Sequence, residues 1–189
     1  MKKSLGARTL TSPTPVWIIG TYDREGKPNL MTAAWVGICC SKPPCVSVSL
    51  RKATYTYGNI VEKKAFTVSI PGEAHVRESD YIGTASGRNV DKFAESKLTM
   101  VKSSIVDAPY VQEFPLVLEC KVLHTIEIGL HTEFLGEIMD VKAESSVLNE
   151  EGLPDADKIK PFLYDPANGI YYGIGAHLGQ AFSTRKSTK

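Results

Sequence analysis

The 189-residue sequence lacks both glycine-rich signatures that cradle phosphates in the most widespread nucleotide-binding folds. No G-x-G-x-x-G follows a strand-like run, and no G-x-x-x-x-G-K-[ST] occurs anywhere in the chain. The sequence therefore gives no support for a dinucleotide-binding Rossmann domain or a P-loop domain.

Long apolar runs and an excess of one charge are also lacking. No apolar run is long enough to span a bilayer, and the polar start, residues 1–14, is not followed by the apolar stretch of a secretory signal. Lys and Arg number 22 against 21 Asp and Glu, a net charge of +1, which provides no broad field for nucleic acid or an anionic membrane. We expect a cytoplasmic protein with no nucleic-acid or membrane partner.

Cysteine is scarce, and none of it is arranged as Cys-x-x-Cys. The four cysteines are Cys39, Cys40, Cys45 and Cys120. In a reducing compartment they are expected to be thiols, and neither a disulfide framework nor a zinc ribbon is predicted. Because neighbouring strand residues point to opposite faces, Cys39 and Cys40 would diverge. Structural roles are favoured, with a redox or metal role as the alternative.

What the chain does contain is a series of short β-rich runs separated by turn residues. The predicted strands are residues 16–22, 30–40, 46–50, 66–70, 116–128, 134–141 and 170–174, of which the first three form a meander. Residues 73–85 are compatible with a helix, and residues 58–63 form a short helix capped by Thr54 or Thr56. About seven strands with few helices predict a closed barrel.

The organisation of the chain favours one domain. There is no internal repeat, and the Pro and Gly residues are spread between the β-rich runs rather than gathered into a linker. We expect one domain over residues 1–189, with a polar N-terminal segment and a C-terminal tail. The acidic residues 149–160 are predicted to be a surface excursion.

Alternation in residues 46–51 suggests an anion site. Ser47, Ser49 and Arg51 would share one strand face, and the predicted helix begins soon afterwards. A helix N-terminus with nearby hydroxyls and an arginine suits a phosphate. The alternative is an exposed strand face followed by an ordinary helix cap.

Trp35 follows two small residues, Ala33 and Ala34, which would let a flat group approach the backbone closely. Stacking on a ring is one use of that arrangement. The alternative is a core tryptophan packed against small neighbours.

Taken in order, these and other motifs resemble the FMN-binding flavin-reductase-like family, and within it the flavoredoxins. The motifs are Asn29–Trp35 (NLMTAAW), Pro43-Pro44, Ser47–Arg51 (SVSLR), Thr54-Tyr55-Thr56, Phe66–Pro71 (FTVSIP), Ser86-Gly87, Asp91-Lys92-Phe93, Leu118-Glu119-Cys120 and Gly129-Leu130-His131. The resemblance implies a mainly β, Greek-key-like split β-barrel with minor helices. It also implies a homodimer that holds FMN at or near the subunit interface.

The resemblance further implies which residues contact FMN. Asn29, Thr32, Ala33 and Trp35 would surround the isoalloxazine ring and ribityl chain, and Ser49, Arg51, Thr54 and Thr56 would lie at the phosphate. Lys92, expected in a loop, would be a second basic contact, and His131 would close over the flavin. Tyr164 would supply a nearby aromatic ring, with Phe162 as the alternative match.

The resemblance predicts an electron carrier that works between redox partner proteins or small electron donors, with FMN supplying the redox chemistry. An NAD(P)H-dependent flavin reductase is the first alternative. A non-redox binding barrel is the second, because a fold does not dictate a function.

Overall fold

The structure is a computed structural model that describes residues 1–182; the end of the predicted C-terminal tail, residues 183–189, lies outside the described residues. The strands are β1 Thr14–Pro15, β2 Trp17–Tyr22, β3 Pro28–Ala33, β4 Val36–Ser41, β5 Pro44–Arg51, β6 Ala65–Ile70, β7 Met100–Lys102, β8 Pro109–Val111, β9 Leu116–Ile128, β10 His131–Ala143, β11 Phe162–Asp165 and β12 Ile170–Gly173. The α-helices are α1 Tyr55–Lys63, α2 Val76–Thr84, α3 Lys92–Ser96 and α4 Ala156–Ile159, with 3₁₀ turns at Glu73–His75 and Ser145–Val147.

The principal sheet has seven strands in the order β3-β2-β6-β9-β10-β5-β4. Its edge strands, β3 and β4, are consecutive in the chain and are separated only by Ala34 and Trp35. Two residues span only about 7 Å, so the two edges must meet at that corner, where the Ser49 amide donates to the Trp35 carbonyl at 2.9 Å. The sheet is therefore a barrel that closes at one corner, which confirms the predicted split barrel.

The connection from β5 to β6 gives the barrel its Greek-key character. These strands are consecutive in the chain, yet the β9–β10 hairpin lies between them in the sheet. Helix α1 makes the crossing between them. A short sheet of β1, β11 and β12 and a ribbon of β7 and β8 complete the mainly β fold.

Strand β2 is buried on both faces, because two clusters of apolar side chains pack against it. Ile19 belongs to the barrel interior with Val48, Phe66 and Phe134. Ile18 faces the other way, where it packs with Leu30 and with Ile82 and Phe93 from α2 and α3. Helices α2 and α3 therefore cover one outer side of the barrel, next to β3.

The predicted single strand over residues 30–40 is wrong. The chain forms β3, which pairs with β2, and β4, which pairs with β5, so the two halves belong to opposite edges of the sheet. The predicted meander therefore bends at Ala34 and Trp35. The strand count was also too low, because residues 1–182 form twelve strands, and the added ones are short.

The predicted helices are present with adjusted bounds. Helix α1 begins at Tyr55, and of the two candidate caps it is Thr54 whose hydroxyl accepts from the Tyr57 amide at 3.3 Å. Thr56 lies inside the helix and is buried. Residues 149–160 are mostly exposed, as predicted, with Ile159 as a buried anchor. Among the described residues, no helix is long and apolar enough to cross a bilayer.

Candidate functional site

Three adjoining cavities form a continuous groove around the carboxyl end of β3. We call them the helix cavity, about 140 Å³, the strand cavity, about 210 Å³, and the tyrosine cavity, about 330 Å³. Met31 and Thr54 line both of the first two, Thr32 and Ala34 line both of the last two, and Gly83 lines the first and the third. Together the cavities reach the size typical of small-molecule sites.

The helix cavity lies at the N-terminus of α1. Because Thr54 satisfies the Tyr57 amide, the amides of Tyr55 and Thr56 are the first two of the helix and have no partner within it. The positive end of the helix dipole adds to the attraction for an anion. Arg51 ends the neighbouring strand β5, only three residues before the cap.

Asn29 forms the buried floor of the helix cavity. Its amide nitrogen donates to the Thr56 hydroxyl at 2.9 Å, but its side-chain oxygen has no hydrogen-bond partner among the described residues. A buried oxygen without a donor is costly. Asn29 is therefore set to accept a hydrogen bond from a bound molecule.

The loop after α2 closes over Asn29. A Cβ at Gly87 would lie 2.0 Å from the Asn29 side-chain oxygen and 2.9 Å from Tyr55 Cδ1, so the backbone can approach only as glycine. The next residue, Arg88, donates to the Ala53 carbonyl at 2.9 Å and lies 5.5 Å from the centre of the Tyr55 ring. The loop therefore places a cation at the mouth of the helix cavity.

Tyr55 is held in place by an acidic partner. Its hydroxyl donates to Asp23, and this bond, with burial, raises the pKa of Tyr55 to about 12. Burial opposes ionisation of Asp23, but the bonds from Tyr55 and from backbone amides keep the pKa of this carboxyl below its usual value. The Tyr55 ring is therefore a fixed, neutral wall of the cavity.

The strand cavity has a flat floor and a polar rim. Ala33 and Ala34 present small side chains, and Trp35 stands beside them with 39% of its surface exposed. The alternative of a core tryptophan is therefore not what the structure shows. On the other side lie Ser49 and Arg51 of β5, with His131 directly opposite Arg51 in the β5–β10 ladder.

The tyrosine cavity extends the groove beyond Thr32 and Ala34. Tyr164 and Tyr171, on the paired strands β11 and β12, lie with ring centres 5.5 Å apart. The Tyr171 hydroxyl donates to Asp80 at 3.0 Å, and burial together with this bond raises the pKa of Tyr171 to about 12. Tyr164 lines the cavity, whereas Phe162, the alternative match, is buried in the core and does not.

Lys92 is not the loop residue that the sequence suggested. It is the first residue of α3, it is 5% exposed, and its ammonium donates to the carbonyls of Leu30 at 2.8 Å and Ile82 at 2.7 Å. Burial lowers its pKa to about 8. Lys92 lines the helix cavity, but it also ties β3 to the end of α2, so its contribution to the fold is larger than a loop position implied.

The residues predicted from the sequence come together in this groove. The helix cavity takes Asn29, Thr54, Thr56 and Lys92; the strand cavity takes Thr32, Ala33, Trp35, Ser49, Arg51, Thr54 and His131; and the tyrosine cavity takes Thr32 and Tyr164. Their contact with a cofactor remains a prediction.

Sequence reasoning missed several lining residues. Tyr55 lies within the quoted Thr54-Tyr55-Thr56 motif and Arg88 directly follows Ser86-Gly87, and a cation in a Gly-containing loop was a usable signal. Asp80 and Tyr171 gave no local signal, because they are 91 residues apart and meet only in the fold.

The donor set of the groove fits FMN. The helix cavity offers helix amides, hydroxyls and Arg88 for a phosphate and the unpartnered Asn29 oxygen for a polyol hydroxyl, and the strand cavity offers Arg51 and a flat floor for a ring. FMN is therefore a chemically reasonable occupant.

Comparison with known proteins gives the family. The model described as "Flavin reductase like domain" matches residues 9–168. The solved flavoredoxin of Desulfovibrio vulgaris (Miyazaki F) is 57% identical, with a TM-score of 0.93 and coverage of 97% of this chain and 99% of that chain. The flavoredoxin from Methanosarcina acetivorans is 31% identical, with a TM-score of 0.90 and 97% coverage of both chains. A protein of Archaeoglobus fulgidus is 35% identical over 163 residues, 86% of this chain and 84% of its own length. The chain belongs to the flavin reductase like domain family.

Proposed function

We propose that this protein binds FMN in the groove and carries electrons between redox partners. The observation that carries the proposal is the single groove in which the anion-binding helix end, with the unpartnered Asn29 oxygen in its floor, adjoins a flat floor across Met31 and Thr54. The likeness to two flavoredoxins, at 57% and 31% identity over nearly the full chain, supports the carrier role.

The residues of the groove bind and orient the cofactor, and FMN supplies the redox chemistry when bound. The first amides of α1 and the Arg51 guanidinium hold the phosphate, where charge-assisted hydrogen bonds are strongest. Trp35 and His131 flank the floor of the strand cavity and limit what reaches the ring. No side chain needs to act as an acid, base or nucleophile.

The phosphate assignment is tested by comparing FMN with riboflavin, which lacks the phosphate. Arg51→Ala should weaken FMN binding by about tenfold to a hundredfold, since hydrogen bonds to charged groups contribute roughly 1.5–3 kcal/mol. Riboflavin binding should stay unchanged. Lys52→Ala is the matched control, because Lys52 is paired with Glu127 and lines none of the three cavities.

Flavin absorbance during these titrations tests the function as a whole. A purified protein that is yellow, or that takes up FMN when it is added, fits the proposal. A colourless protein that also fails to take up FMN would contradict the proposal and favour a non-redox binding barrel.

The family name keeps the flavin reductase as a second candidate. We expect weak or absent oxidation of NADH and NADPH with free FMN as acceptor, measured at steady state. Rapid, saturable turnover would assign the protein to the reductases instead.

We further propose a homodimer in the cytoplasm. Strand β6 pairs only with residues 116–121 of β9, so the rest of this long strand has β10 as its one strand neighbour among the described residues. Exposed apolar side chains lie on this part of the strand at Leu123, Ile126 and Ile128, and in the turn after it at Leu130. Exposed apolar strand edges of this kind are usually buried against another chain, and a second copy of this protein would bury this one.

A further inference from the structure

The β4–β5 hairpin holds two thiols that face each other across the ladder. Cys40 and Cys45 are direct partners in the antiparallel register, so their side chains lie on the same face of the hairpin. Directly opposed residues have Cα atoms about 4.5–5.5 Å apart, within the roughly 4.4–6.8 Å that a disulfide spans. We propose that Cys40 and Cys45 form a reversible intramolecular disulfide by exchange with low-molecular-weight disulfides.

The other cysteines are excluded as partners by their positions. Cys39 lies at the register shift between Ile38 and Cys40, so it has no directly opposed residue on β5. Cys120 is on β9, which is separated from β5 by β10. Two strand spacings amount to about 9.5 Å, which exceeds the reach of a disulfide without backbone movement.

The exposure of the two thiols fixes the order of the chemistry. Cys40 is exposed, and Cys45 is 5% exposed beneath it. The Cys40 thiolate attacks a disulfide RSSR, releasing one RSH and forming a mixed disulfide. Cys45 then attacks the Cys40 sulfur and releases the second RSH, so two thiols are oxidised and one RSSR is reduced to two RSH.

The pair is protected from indiscriminate reaction. Burial, and then the neighbouring Cys40 and Cys39 thiols, raise the pKa of Cys45. Because the thiolate is the attacking form, Cys45 reacts slowly with disulfides in solution, whereas a mixed disulfide on Cys40 is held directly opposite it. Reduction by excess thiol reverses both steps.

The site is independent of the flavin groove. No cysteine lines the helix, strand or tyrosine cavity. Trp35 lines the groove, and β4, which begins at the next residue, carries the chain away from it towards Cys40. A failure of the disulfide therefore says nothing about FMN binding, and the reverse also holds.

The test incubates the full chain with oxidised glutathione and counts thiols by alkylation and intact mass after denaturation. We expect the loss of two of the four thiols with no added glutathione mass, recovery of all four with dithiothreitol, and one cross-linked peptide that joins Cys40 to Cys45. Four unreacted thiols, or a stable glutathione adduct on Cys40, would overturn the proposal.

Variants separate this pair from the alternatives. Cys39→Ser should still form the disulfide, whereas Cys40→Ser should not, and both changes are at exposed positions that should leave the fold intact. Cys45→Ala, with circular dichroism to check folding, should accumulate a glutathione adduct on Cys40. Loss of the cross-link in Cys39→Ser would assign it to the adjacent cysteines and contradict the proposal.

Discussion

At the residue scale, two side chains occupy environments opposite to those usual for their types. Trp35 is large and apolar yet 39% exposed at the groove, and Lys92 is charged yet 5% exposed. A buried charge is costly unless it is hydrogen-bonded, and the Leu30 and Ile82 carbonyls accept from this ammonium. A cofactor in the groove would cover the exposed part of the indole, and the apolar area so buried would favour binding.

Trp35→Ala should weaken FMN binding by roughly two- to tenfold, because an aromatic contact contributes about 0.5–1.5 kcal/mol beyond area burial. The apoprotein should keep its melting temperature, since Trp35 is not in the core. Fluorescence titration with FMN and calorimetry of the apoprotein check the two parts.

Trp17→Ala is the matched control for this experiment. Trp17 packs against the barrel core and lines none of the three cavities. This variant should lose thermal stability while its folded fraction keeps its FMN affinity. The reverse pattern in the two variants would show that Trp35 is structural.

The buried Lys92 predicts a dependence of apoprotein stability on pH. Its folded pKa of about 8 lies below the ordinary lysine value of 10.5, so between these values the unfolded chain binds more protons than the folded one. The free energy of unfolding should therefore rise with pH across this window, by up to about 3 kcal/mol in total.

The difference between wild type and Lys92→Met isolates this effect, because other titrating groups cancel. Urea unfolding of both apoproteins from pH 7 to pH 10 should show the wild type gaining on the variant as the pH rises above about 8. A difference that stays constant with pH would mean that Lys92 titrates alike in the folded and unfolded states.

At the element scale, the site depends on where strands and helices end. Helix α1 presents its first amides, β5 ends with Arg51 beside them, and the loop after α2 approaches through Gly87. Local sequence sets two of these positions. Thr54 caps α1, and Gly87 permits the close contact of the loop.

Gly87→Ala should lower FMN affinity by displacing the loop. The added methyl group would lie 2.0 Å from the Asn29 oxygen, which is far inside van der Waals contact. Because Asn29 is packed and buried, the loop must move away from it, and that movement opens the cavity. Isothermal titration with FMN measures the effect.

Gly58→Ala is the control: a Cβ there meets nothing within 4 Å, and in helix α1 it should raise stability by roughly 0.5–1 kcal/mol. Equal FMN affinities in the two variants would contradict the assigned role of the loop.

At the scale of the whole molecule, the barrel leaves one part of β9 and β10 projecting. The last residues of β9 are exposed on both faces, although the same strand is buried from Val117 to Cys120. Beyond Lys121 this strand has no partner on its other edge among the described residues, and such an open edge can pair with another chain. The projecting part adjoins His131, so a second copy seated there would also lie near the groove.

Light scattering at micromolar concentration should therefore give a dimeric mass. Ile128→Glu, at an apolar position with 53% exposure, should shift the protein towards the monomer, because it places a charge in the proposed interface. Leu153→Glu, at 55% exposure in the surface excursion, should leave the dimer intact. A monomeric wild type would refute the homodimer.

The sequence by itself determined the features that depend on local spacing. Alternation placed Val46, Val48 and Leu50 inside and left Ser49 and Arg51 on the polar face, because a strand has a fixed period of two. Thr54 was one of two candidate caps for the same local reason, and the structure selects it over Thr56. The ordered motifs identified the family and the split barrel, and the residues that the resemblance assigned to FMN all line the groove.

Only the tertiary structure decided what depends on distant partners. The break at Ala34 and Trp35 arises because β3 and β4 pair at opposite edges of a sheet that closes on itself, and Lys92 is buried because carbonyls 62 and 10 residues away converge on it. Asp80 meets Tyr171 for the same reason. Spacing along a chain encodes which face a side chain takes, whereas closure of the barrel fixes which faces meet.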